Sequence, residues 1–377
     1  MEFHRRALSF SMIGSALLLT ACGGDGGASP SPVPVSLPPS SPAPTPAPPI
    51  TPPAPAPVPT NFQPVIDAIE ASSDPNFAVI IGDSNGILFE YEKGNYHLED
   101  NVPIASSSKW FTGATIMRLV DKGVMKLSDN PQDYLSFWTG NPTDERSQVT
   151  LEQLLSFTSG FNADPINDGC VGDGSITMLE CAQQIYEGGI DTAPGAGFYY
   201  GPHHMQVAAA MAEQATGLPY NDIFRREVAN PLGFSPTTRF ATPSSSNPRA
   251  AGGVISNAYD YALFLRAILD GSLIADPNAF LEDRTRSVEF LSRPAGTQGD
   301  WHYAFGAWLE CDEPTFIQSC ADARIYSSPG AFGWTPWLDL SNGYFGLIAR
   351  EGTIGSAPIT TAFEQELQPL ILQAIGE

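Results

Sequence analysis

The sequence predicts an α+β fold in which an antiparallel sheet flanked by helices is joined to an all-helical lobe. Three observations lead to this prediction. Two strand-like segments stand early in the folded part of the chain, helical segments fill its middle, and three strand-like segments stand near its end. A single sheet built from both ends of the chain is the simplest assembly that buries the apolar faces of these elements. An active site at the seam between sheet and lobe is then expected.

The early segments read as a helix, a pair of strands and a second helix. Residues 62–71 predict the first helix, and residues 77–83 and 86–92 predict two strands rich in β-branched and aromatic side chains. The turn residues Asp83 to Gly86 join these strands. Residues 106–122 then predict a long helix that is apolar nearly all round, which is typical of a buried helix.

The remaining helices and strands are predicted from the periodicity of apolar residues between glycine and proline breaks. Gly217 and Pro219 separate two central helices, and Gly271 ends a third. The predicted helices cover residues 150–157, 203–216, 220–228 and 256–269. After Trp301 the pattern becomes that of strands, predicted over 303–310, 332–338 and 344–350, and a last helix is predicted over 362–375.

Composition divides the 377 residues into three parts. Residues 1–21 read as a signal peptide, residues 22–60 as a cysteine followed by a proline-rich linker, and residues 61–377 as a folded domain with enough apolar residues for a core. The net charge is −23, from 18 basic and 41 acidic residues. Because phosphate binding requires clustered basic side chains, nucleic acid is excluded as an expected partner.

The start of the chain has the order of features seen in export signals. His4-Arg5-Arg6 precedes a short apolar run over residues 7–19, and Leu19-Thr-Ala-Cys22 closes it. This resembles the bacterial lipoprotein signal, which implies cleavage before Cys22 and lipidation of its thiol. We therefore expect an exported, lipid-anchored protein, with Gly23 favouring the outer membrane. The alternative is an ordinary secretory signal with an incidental cysteine. The proline-rich composition of the linker predicts an extended spacer.

The other four cysteines fall into two close pairs. An even number of cysteines in an exported chain favours disulfides. Local pairing, Cys170 with Cys181 and Cys311 with Cys320, is the simplest of three possible connectivities. These spacings do not match a zinc site, so we expect no metal and no cofactor.

Ser106-Ser-Ser-Lys109 is the stretch that points most directly to chemistry. Residues three apart on a helix share a face, so the hydroxyl of Ser106 and the amine of Lys109 can meet. A serine is a weak nucleophile until a neighbouring base removes its proton, and a desolvated lysine can be that base. The four-residue pattern also arises by chance.

A wider set of landmarks resembles the serine β-lactamase-like family, which holds class C β-lactamases, DD-peptidases and related esterases. The segment at 104–113 is similar to the nucleophile helix of that family, and the Leu-Leu-Ser-Phe-Thr-Ser-Gly run ending at Gly160 is similar to the stretch after it. Three further similar segments lie at 194–201, 252–260 and 328–333, and all five stand in the family's order. The resemblance implies a β-lactamase/transpeptidase-like fold.

The resemblance also implies a role for each matching residue. Ser106 is the expected nucleophile, Lys109 and Tyr200 are expected to move its proton, and either of those two could be the base. The backbone N–H groups of Ser106 and Ala331 are expected to form the oxyanion hole. The expected substrate contacts are Ser328, Gly330 and Trp334.

Two positions depart from the family pattern. Pro202 stands where an asparagine is expected, which removes a side-chain amide, and Ser328 stands where a lysine or histidine is expected. A carboxylate-bearing substrate therefore loses a charge-assisted partner. The sequence thus favours a carboxylesterase acting on neutral apolar esters. The alternatives are an amidase or a β-lactam or D-amino-acid peptide hydrolase, and a non-enzymatic acyl-binding sensor.

Overall fold

A computed structural model describes residues 60–162, 169–294, 299–313 and 315–376, which belong to the unit Ala56–Glu377. Its α-helices are α1 (Gln63–Ala71), α2 (Ser108–Asp121), α3 (Leu151–Leu155), α4 (Met178–Gly188), α5 (His203–Thr216), α6 (Tyr220–Phe224), α7 (Asn230–Leu232), α8 (Ala258–Leu269), α9 (Pro277–Leu281), α10 (Gln318–Ala323) and α11 (Ala357–Ile375). Its strands are β1 (Phe77–Asp83), β2 (Gly86–Lys93), β3 (Val102–Pro103), β4 (Gly197–Tyr199), β5 (Arg239–Phe240), β6 (Val254–Ser256), β7 (Glu289–Ser292), β8 (His302–Tyr303), β9 (Trp308–Leu309), β10 (Ile325–Ser327), β11 (Thr335–Asp339) and β12 (Tyr344–Ala349).

The central sheet joins the two ends of the folded part of the chain. Across the described ranges it has seven strands in the order β2-β1-β12-β11-β10-β9-β8, and each neighbouring pair is antiparallel. The join is made where β1 pairs with β12, with Ile80 opposite Leu347. Both the predicted α+β class and the predicted sheet built from both chain ends are confirmed.

Both faces of β1 are covered, which explains its nearly unbroken apolar sequence. Val79 and Ile81 pack in a cluster with α1 and α11 on one face of the sheet. Ala78 and Ile80 belong to the larger cluster on the other face, which contains α2 and the central helices. The sheet is therefore sandwiched between two terminal helices and the helical lobe, and the lobe side carries α2.

Helix α2 runs through the middle of this larger cluster. Eleven of its fourteen residues are buried, from Ser108 to Leu119. A short 3₁₀ turn over Ala105–Ser107 leads into it. The predicted helix over 106–122 is thus confirmed as a buried element whose first turn is tighter than an α-helix.

Several predicted boundaries were wrong. The strand predicted over 303–310 is a hairpin, because Gly306 adopts a φ of 93° and the Ala304 N–H bonds back to the Ala307 carbonyl at 2.9 Å. The helix predicted over 220–228 changes into a π-helical turn over Arg225–Ala229. The strand predicted from residue 332 starts at Thr335, and the last helix starts at Ala357 rather than at residue 362. Strand β10 and helix α4 were not predicted.

Candidate active site

Ser106 lies in the 3₁₀ turn that precedes α2, and it is half-buried. The residue before it, Ala105, has a φ of 47°, in the left-handed region that a residue with a Cβ rarely adopts. Strained backbone of this kind is typical of functional sites, where surrounding contacts hold it in place. Here the Ser108 hydroxyl donates to the Ala105 carbonyl at 2.6 Å and fixes the turn.

Lys109 is one helical turn further along, and only 5% of its surface is exposed. Its Nζ lies 2.9 Å from the Ser106 Oγ and donates to the Ala251 carbonyl at 2.7 Å. It also lies 4.6 Å from the centre of the Tyr200 ring. The amine is therefore held inside the protein, within proton-transfer distance of the serine hydroxyl.

Short strands bring Ala251 to this position. The Ile104 N–H donates to the Val254 carbonyl at 3.1 Å, and β3 pairs with β6 immediately before and after these residues. The segment 250–253, which enters β6, consequently runs alongside the nucleophile turn. The lysine's carbonyl partner, Ala251, is the residue directly before the family-like Gly252-Gly253 stretch.

Tyr200 follows β4 and completes the polar group around Ser106. Its hydroxyl is hydrogen-bonded to the Ser106 side chain, and its ring stacks on Trp308 with centroids 5.5 Å apart. Burial raises the pKa of the Tyr200 phenol well above its ordinary value, and the hydrogen bond with Ser106 offsets only part of this. The phenol therefore remains protonated at neutral pH.

A buried histidine supports the backbone next to Tyr200. His204 lies with its Nε2 at 3.0 Å from the Tyr199 carbonyl and its Nδ1 at 2.7 Å from the Ser159 Oγ. Burial lowers the pKa of His204 to about 3, so its ring is neutral. Because a carbonyl only accepts, Nε2 carries the proton and the Ser159 hydroxyl donates to Nδ1. Within Thr158-Ser159-Gly160, Ser159 therefore orients the His204 ring, a role that was not predicted from the sequence.

The loop after β10 is fastened to the nucleophile turn. The Ser107 Oγ contacts the carbonyls of Ser328 and Trp334 at 2.7 and 3.0 Å. A Cβ added at Gly330 would lie 2.2 Å from the Ile104 carbonyl oxygen, so only glycine allows this approach. These contacts place the backbone of the third motif directly against the residues around Ser106.

Ala331 follows Gly330 in this loop and is half-buried. Its carbonyl accepts hydrogen bonds from the N–H groups of Gly355 and Ser356, at 3.1 and 3.2 Å. Its own N–H makes no hydrogen bond with another residue of the described ranges. Ser106 stands near the start of a helix, where the first N–H groups lack intrahelical acceptors. That the N–H groups of Ser106 and Ala331 together form the oxyanion hole stays a prediction.

Two predicted substrate contacts need correction. The side chain of Trp334 is fully buried and packs 6.0 Å from the Tyr261 ring, so it forms part of the core rather than a pocket wall. The Ser328 hydroxyl is buried and donates to the Gly306 carbonyl at 2.8 Å. The hydroxyl proton of Ser328 is therefore used within the protein, where it links the loop after β10 to the β8–β9 hairpin.

The position of the missing motif asparagine is taken by the start of α5. Pro202 is the residue that precedes the first turn of this helix, and the Gln206 N–H donates to its carbonyl at 3.2 Å. Gln206 itself is fully buried, in a helix segment otherwise composed of apolar side chains. A polar residue within an apolar helical segment is the sequence signal that marks Gln206 as a residue of interest.

The structure contains the disulfides Cys170–Cys181 and Cys311–Cys320, which are the two local pairings predicted.

In the described part of the chain, no group of three or more His, Cys, Asp or Glu side chains could hold a metal ion. The described helices include none with both the length and the apolar character that a bilayer crossing needs. Cys22, the signal segment and the linker lie outside the described residues. A cavity of about 420 Å³ beside Arg286 and Phe316 does not include Ser106.

Comparisons with known proteins agree with this geometry. The family model described as Beta-lactamase matches residues 65–356. The chain is 26% identical over 183 residues to the D-alanyl-D-alanine-carboxypeptidase/endopeptidase AmpH of Escherichia coli K12, covering 46% of this chain and 47% of AmpH. It is also 26% identical over 212 residues to PbpX of Bacillus subtilis, covering 49% and 51% of the two chains. It thus spans about half the length of these curated relatives.

Solved structures share the fold at low sequence identity. The D-amino acid amidase from Ochrobactrum anthropi SV3 superimposes with a TM-score of 0.63 at 17% identity, covering 84% of this chain and 97% of that one. EstCE1, a hydrolase with promiscuous acyltransferase activity, gives a TM-score of 0.61 at 18% identity, covering 80% and 96%. The family model matches most of the chain, and the matching motifs lie around one serine. This protein therefore belongs to the Beta-lactamase family, whose members are serine hydrolases with the β-lactamase/transpeptidase-like fold.

Proposed function

We propose that the protein is a carboxylesterase that hydrolyses small, neutral, apolar esters through an acyl-enzyme on Ser106. The observation that carries the proposal is the contact of 2.9 Å between the Oγ of the half-buried Ser106 and the Nζ of the buried Lys109. A reachable hydroxyl next to an amine that is shielded from water is what a serine nucleophile with a lysine base requires.

In this mechanism Lys109 is the base. The phenol of Tyr200 is costly to ionise because burial raises its pKa, whereas the hydrogen-bond partners of the lysine amine include the neutral oxygens of Ser106 and Ala251. Desolvation beside neutral groups favours an uncharged amine. Lys109 then takes the proton of Ser106 as its Oγ bonds to the ester carbonyl carbon.

The tetrahedral intermediate places a negative charge on the former carbonyl oxygen. The N–H groups of Ser106 and Ala331 would donate to this oxygen, and fixed donors of this kind commonly contribute about 3–4 kcal/mol each to the rate. The C–O bond to the leaving alcohol breaks next. Tyr200 passes its phenolic proton to the alkoxide and recovers one from the Lys109 ammonium. A water molecule then attacks the acyl-serine, and the same groups work in reverse to release the acid.

The preference for neutral esters rests on the two altered motif positions. Pro202 offers no side-chain amide, and Ser328 brings no charge and has its hydroxyl proton bound to Gly306. An ester substrate also needs less help than an amide, because its alkoxide leaves more readily than an amine.

Amide or β-lactam hydrolysis is the second candidate, and one observation favours it. A Cβ added at Gly252 would lie 3.3 Å from the Arg249 Cδ and 3.8 Å from the Ala105 carbonyl carbon, so an arginine side chain passes beside the nucleophile turn. A cation there could attract a carboxylate-bearing substrate. The carboxypeptidase AmpH and the D-amino acid amidase, as relative and structural neighbour, are consistent with it.

The experiment compares p-nitrophenyl butyrate, a neutral ester, with nitrocefin, a carboxylate-bearing β-lactam. We expect kcat/KM to be higher for the ester, and the Ser106→Ala variant to hydrolyse neither. Faster cleavage of nitrocefin would reverse the order of the two candidates. Labelling of Ser106 by a fluorophosphonate probe without turnover of either substrate would instead support an acyl-binding sensor.

We also propose that the mature protein is exported and held at the outer membrane by lipid on Cys22. The support is the order of basic residues, apolar run and Leu-Thr-Ala-Cys in the sequence. Cells grown with an alkyne-tagged fatty acid should yield a labelled protein, and the Cys22→Ala variant should carry no label. Equal labelling of both proteins would contradict the anchor.

A further inference from the structure

The hydrogen-bond partner of the lysine amine is a backbone carbonyl, and that carbonyl is itself held by buried side chains. The peptide before Ala251 is fixed on both sides. The Ala250 N–H donates to the Gln206 Oε1 at 3.1 Å, and the Ala250 carbonyl accepts from the Thr112 Oγ1 at 2.6 Å. The position of the Ala251 carbonyl beside Lys109 therefore depends on one side chain from α5 and one from α2.

Gln206 makes more contacts than this one. Its Nε2 donates to the Asn247 Oδ1 at 2.8 Å and lies 3.3 Å from the Pro248 carbonyl. Asn247 in turn donates to the carbonyls of Cys170 and Asp173, at 2.8 and 2.9 Å. Gln206 and Asn247 are both fully buried. The segment from 247 to 250 is thus hydrogen-bonded to α5 and to the disulfide-bonded loop at Cys170, and the next residue, Ala251, contacts Lys109.

From this arrangement we propose that Gln206 is a positioning residue for Lys109. Its amide stands one helical turn after Pro202, where the motif amide is missing, and it acts through the Ala250–Ala251 peptide rather than on substrate. Without it, the buried Ala250 N–H loses its acceptor and the segment is free to shift. Misplacement of a catalytic group by about 1 Å commonly costs about 100-fold in rate. This inference rests on the proposed base role of Lys109.

The test uses Gln206→Met, which keeps most of the volume and removes both hydrogen-bonding groups. The matched control is Glu213→Leu, seven residues later on the same helix, because the Glu213 carboxylate also accepts a backbone N–H, that of Tyr220 at 2.8 Å. Two readouts are compared: the rate of Ser106 labelling by a fluorophosphonate probe, and the pH titration of the Lys109 ¹³Cε signal by NMR. The chain has only four lysines, which simplifies assignment.

We expect Gln206→Met to slow labelling of Ser106 by about 10- to 100-fold and to move the midpoint of the Lys109 titration. Glu213→Leu should leave both unchanged even where it lowers Tm by a similar amount. Tyr200, whose ring centre lies 4.6 Å from the Lys109 Nζ, and Arg249, which lies within the segment, remain in both variants. Thr112→Val, which loosens the other side of Ala250, should change both readouts in the same direction as Gln206→Met.

An unchanged Lys109 titration and unchanged labelling in Gln206→Met and Thr112→Val would overturn the proposal. Should Gln206→Met fail to fold, Thr112→Val decides alone. A wild-type protein that neither labels nor hydrolyses esters would reject the proposed function, but the NMR titration would still report whether Gln206 positions Lys109. The two failures are therefore distinguishable.

Discussion

At the scale of single residues, the proposed chemistry depends on how Ser106, Lys109 and Tyr200 exchange protons. Lys109 and Tyr200 both contact the Ser106 hydroxyl, but burial acts on them in different ways. Loss of water favours the uncharged, proton-accepting form of an amine, whereas it favours the protonated form of the Tyr200 phenol. The division of roles that we propose, lysine as proton acceptor and tyrosine as proton donor, is based on this difference.

Replacing Lys109 by methionine should lower kcat/KM for p-nitrophenyl butyrate by about 10²- to 10⁴-fold, the usual contribution of a general base. The buried side chain keeps its apolar contacts, so the fold should persist. Lys126→Met, at an exposed lysine, is the matched control and should retain full activity. Steady-state kinetics of both variants would check this, and an active Lys109→Met protein would remove the lysine from the mechanism.

The pH profile should distinguish the base from the phenol. Because burial raises the pKa of Tyr200, its ionisation should not contribute to the kcat/KM profile between pH 6 and about 10. Tyr200→Phe should therefore lower the plateau of the profile and leave the position of its acid limb in place. If the acid limb moved or vanished in Tyr200→Phe, the tyrosine rather than the lysine would be the group that titrates.

At the scale of elements, one hydroxyl fastens the β10–β11 loop to the nucleophile turn. The Ser107 Oγ reaches two carbonyls of that loop, and the Tyr261 hydroxyl donates to the Ser107 carbonyl at 2.8 Å. The strained Ala105 precedes this turn, and Gly330 allows the loop to approach it. Ser106 and Ala331, the proposed oxyanion donors, therefore lie on two segments that Ser107 links by hydrogen bonds.

Ser107→Ala should destabilise the protein by about 1–3 kcal/mol, because it leaves the buried Ser328 carbonyl without its donor, whereas the Trp334 carbonyl keeps the Gly330 N–H at 2.7 Å. Looser spacing between Ser106 and Ala331 should lower kcat more than it raises KM. Urea denaturation and steady-state kinetics would measure the two effects, with the exposed Ser245→Ala as control. Wild-type kcat in a clearly destabilised Ser107→Ala protein would show that this hydroxyl serves the fold alone.

At the scale of the whole molecule, the sequence was sufficient for the architecture and for the central residues of the site. Apolar periodicity located β1, β12 and the buried helix α2, since each of these has a strong local pattern. The spacing of Ser106 and Lys109 anticipated their contact. The hairpin at Gly306 and the buried Trp334 escaped prediction, because both depend on neighbours distant in sequence. The Ala251 carbonyl and Gln206 escaped for the same reason.

Two buried carboxyl groups between α11 and the sheet should make stability depend on pH. Burial, reinforced by their mutual repulsion, raises the pKa of Glu364 well above its ordinary value, and burial raises that of Glu310 to about 7. When folding raises the pKa of a carboxyl group, the group contributes to stability at a pH below its pKa in the unfolded chain, near 4.5. This contribution is lost as the pH rises through the pKa of the folded protein. Stability should thus decline between about pH 5 and pH 8.

The Glu364→Gln variant tests this directly. Wild-type protein should lose about 2 kcal/mol of unfolding free energy between pH 5 and pH 8, and Glu364→Gln should lose much less, because one of the two charges can no longer form. Urea denaturation at the two pH values gives both numbers. A wild-type protein of equal stability at both would show that these carboxyls are solvated.

In the proposed mechanism Lys109 activates Ser106 for acylation. This role can be measured by intact-mass spectrometry with peptide mapping after brief exposure to a fluorophosphonate probe. We predict one adduct on the wild-type protein, located on the peptide that contains Ser106, none on Ser106→Ala, and strongly slowed labelling of Lys109→Met. An adduct that persists in Ser106→Ala, or a Lys109→Met protein labelled at the wild-type rate, would contradict the claim.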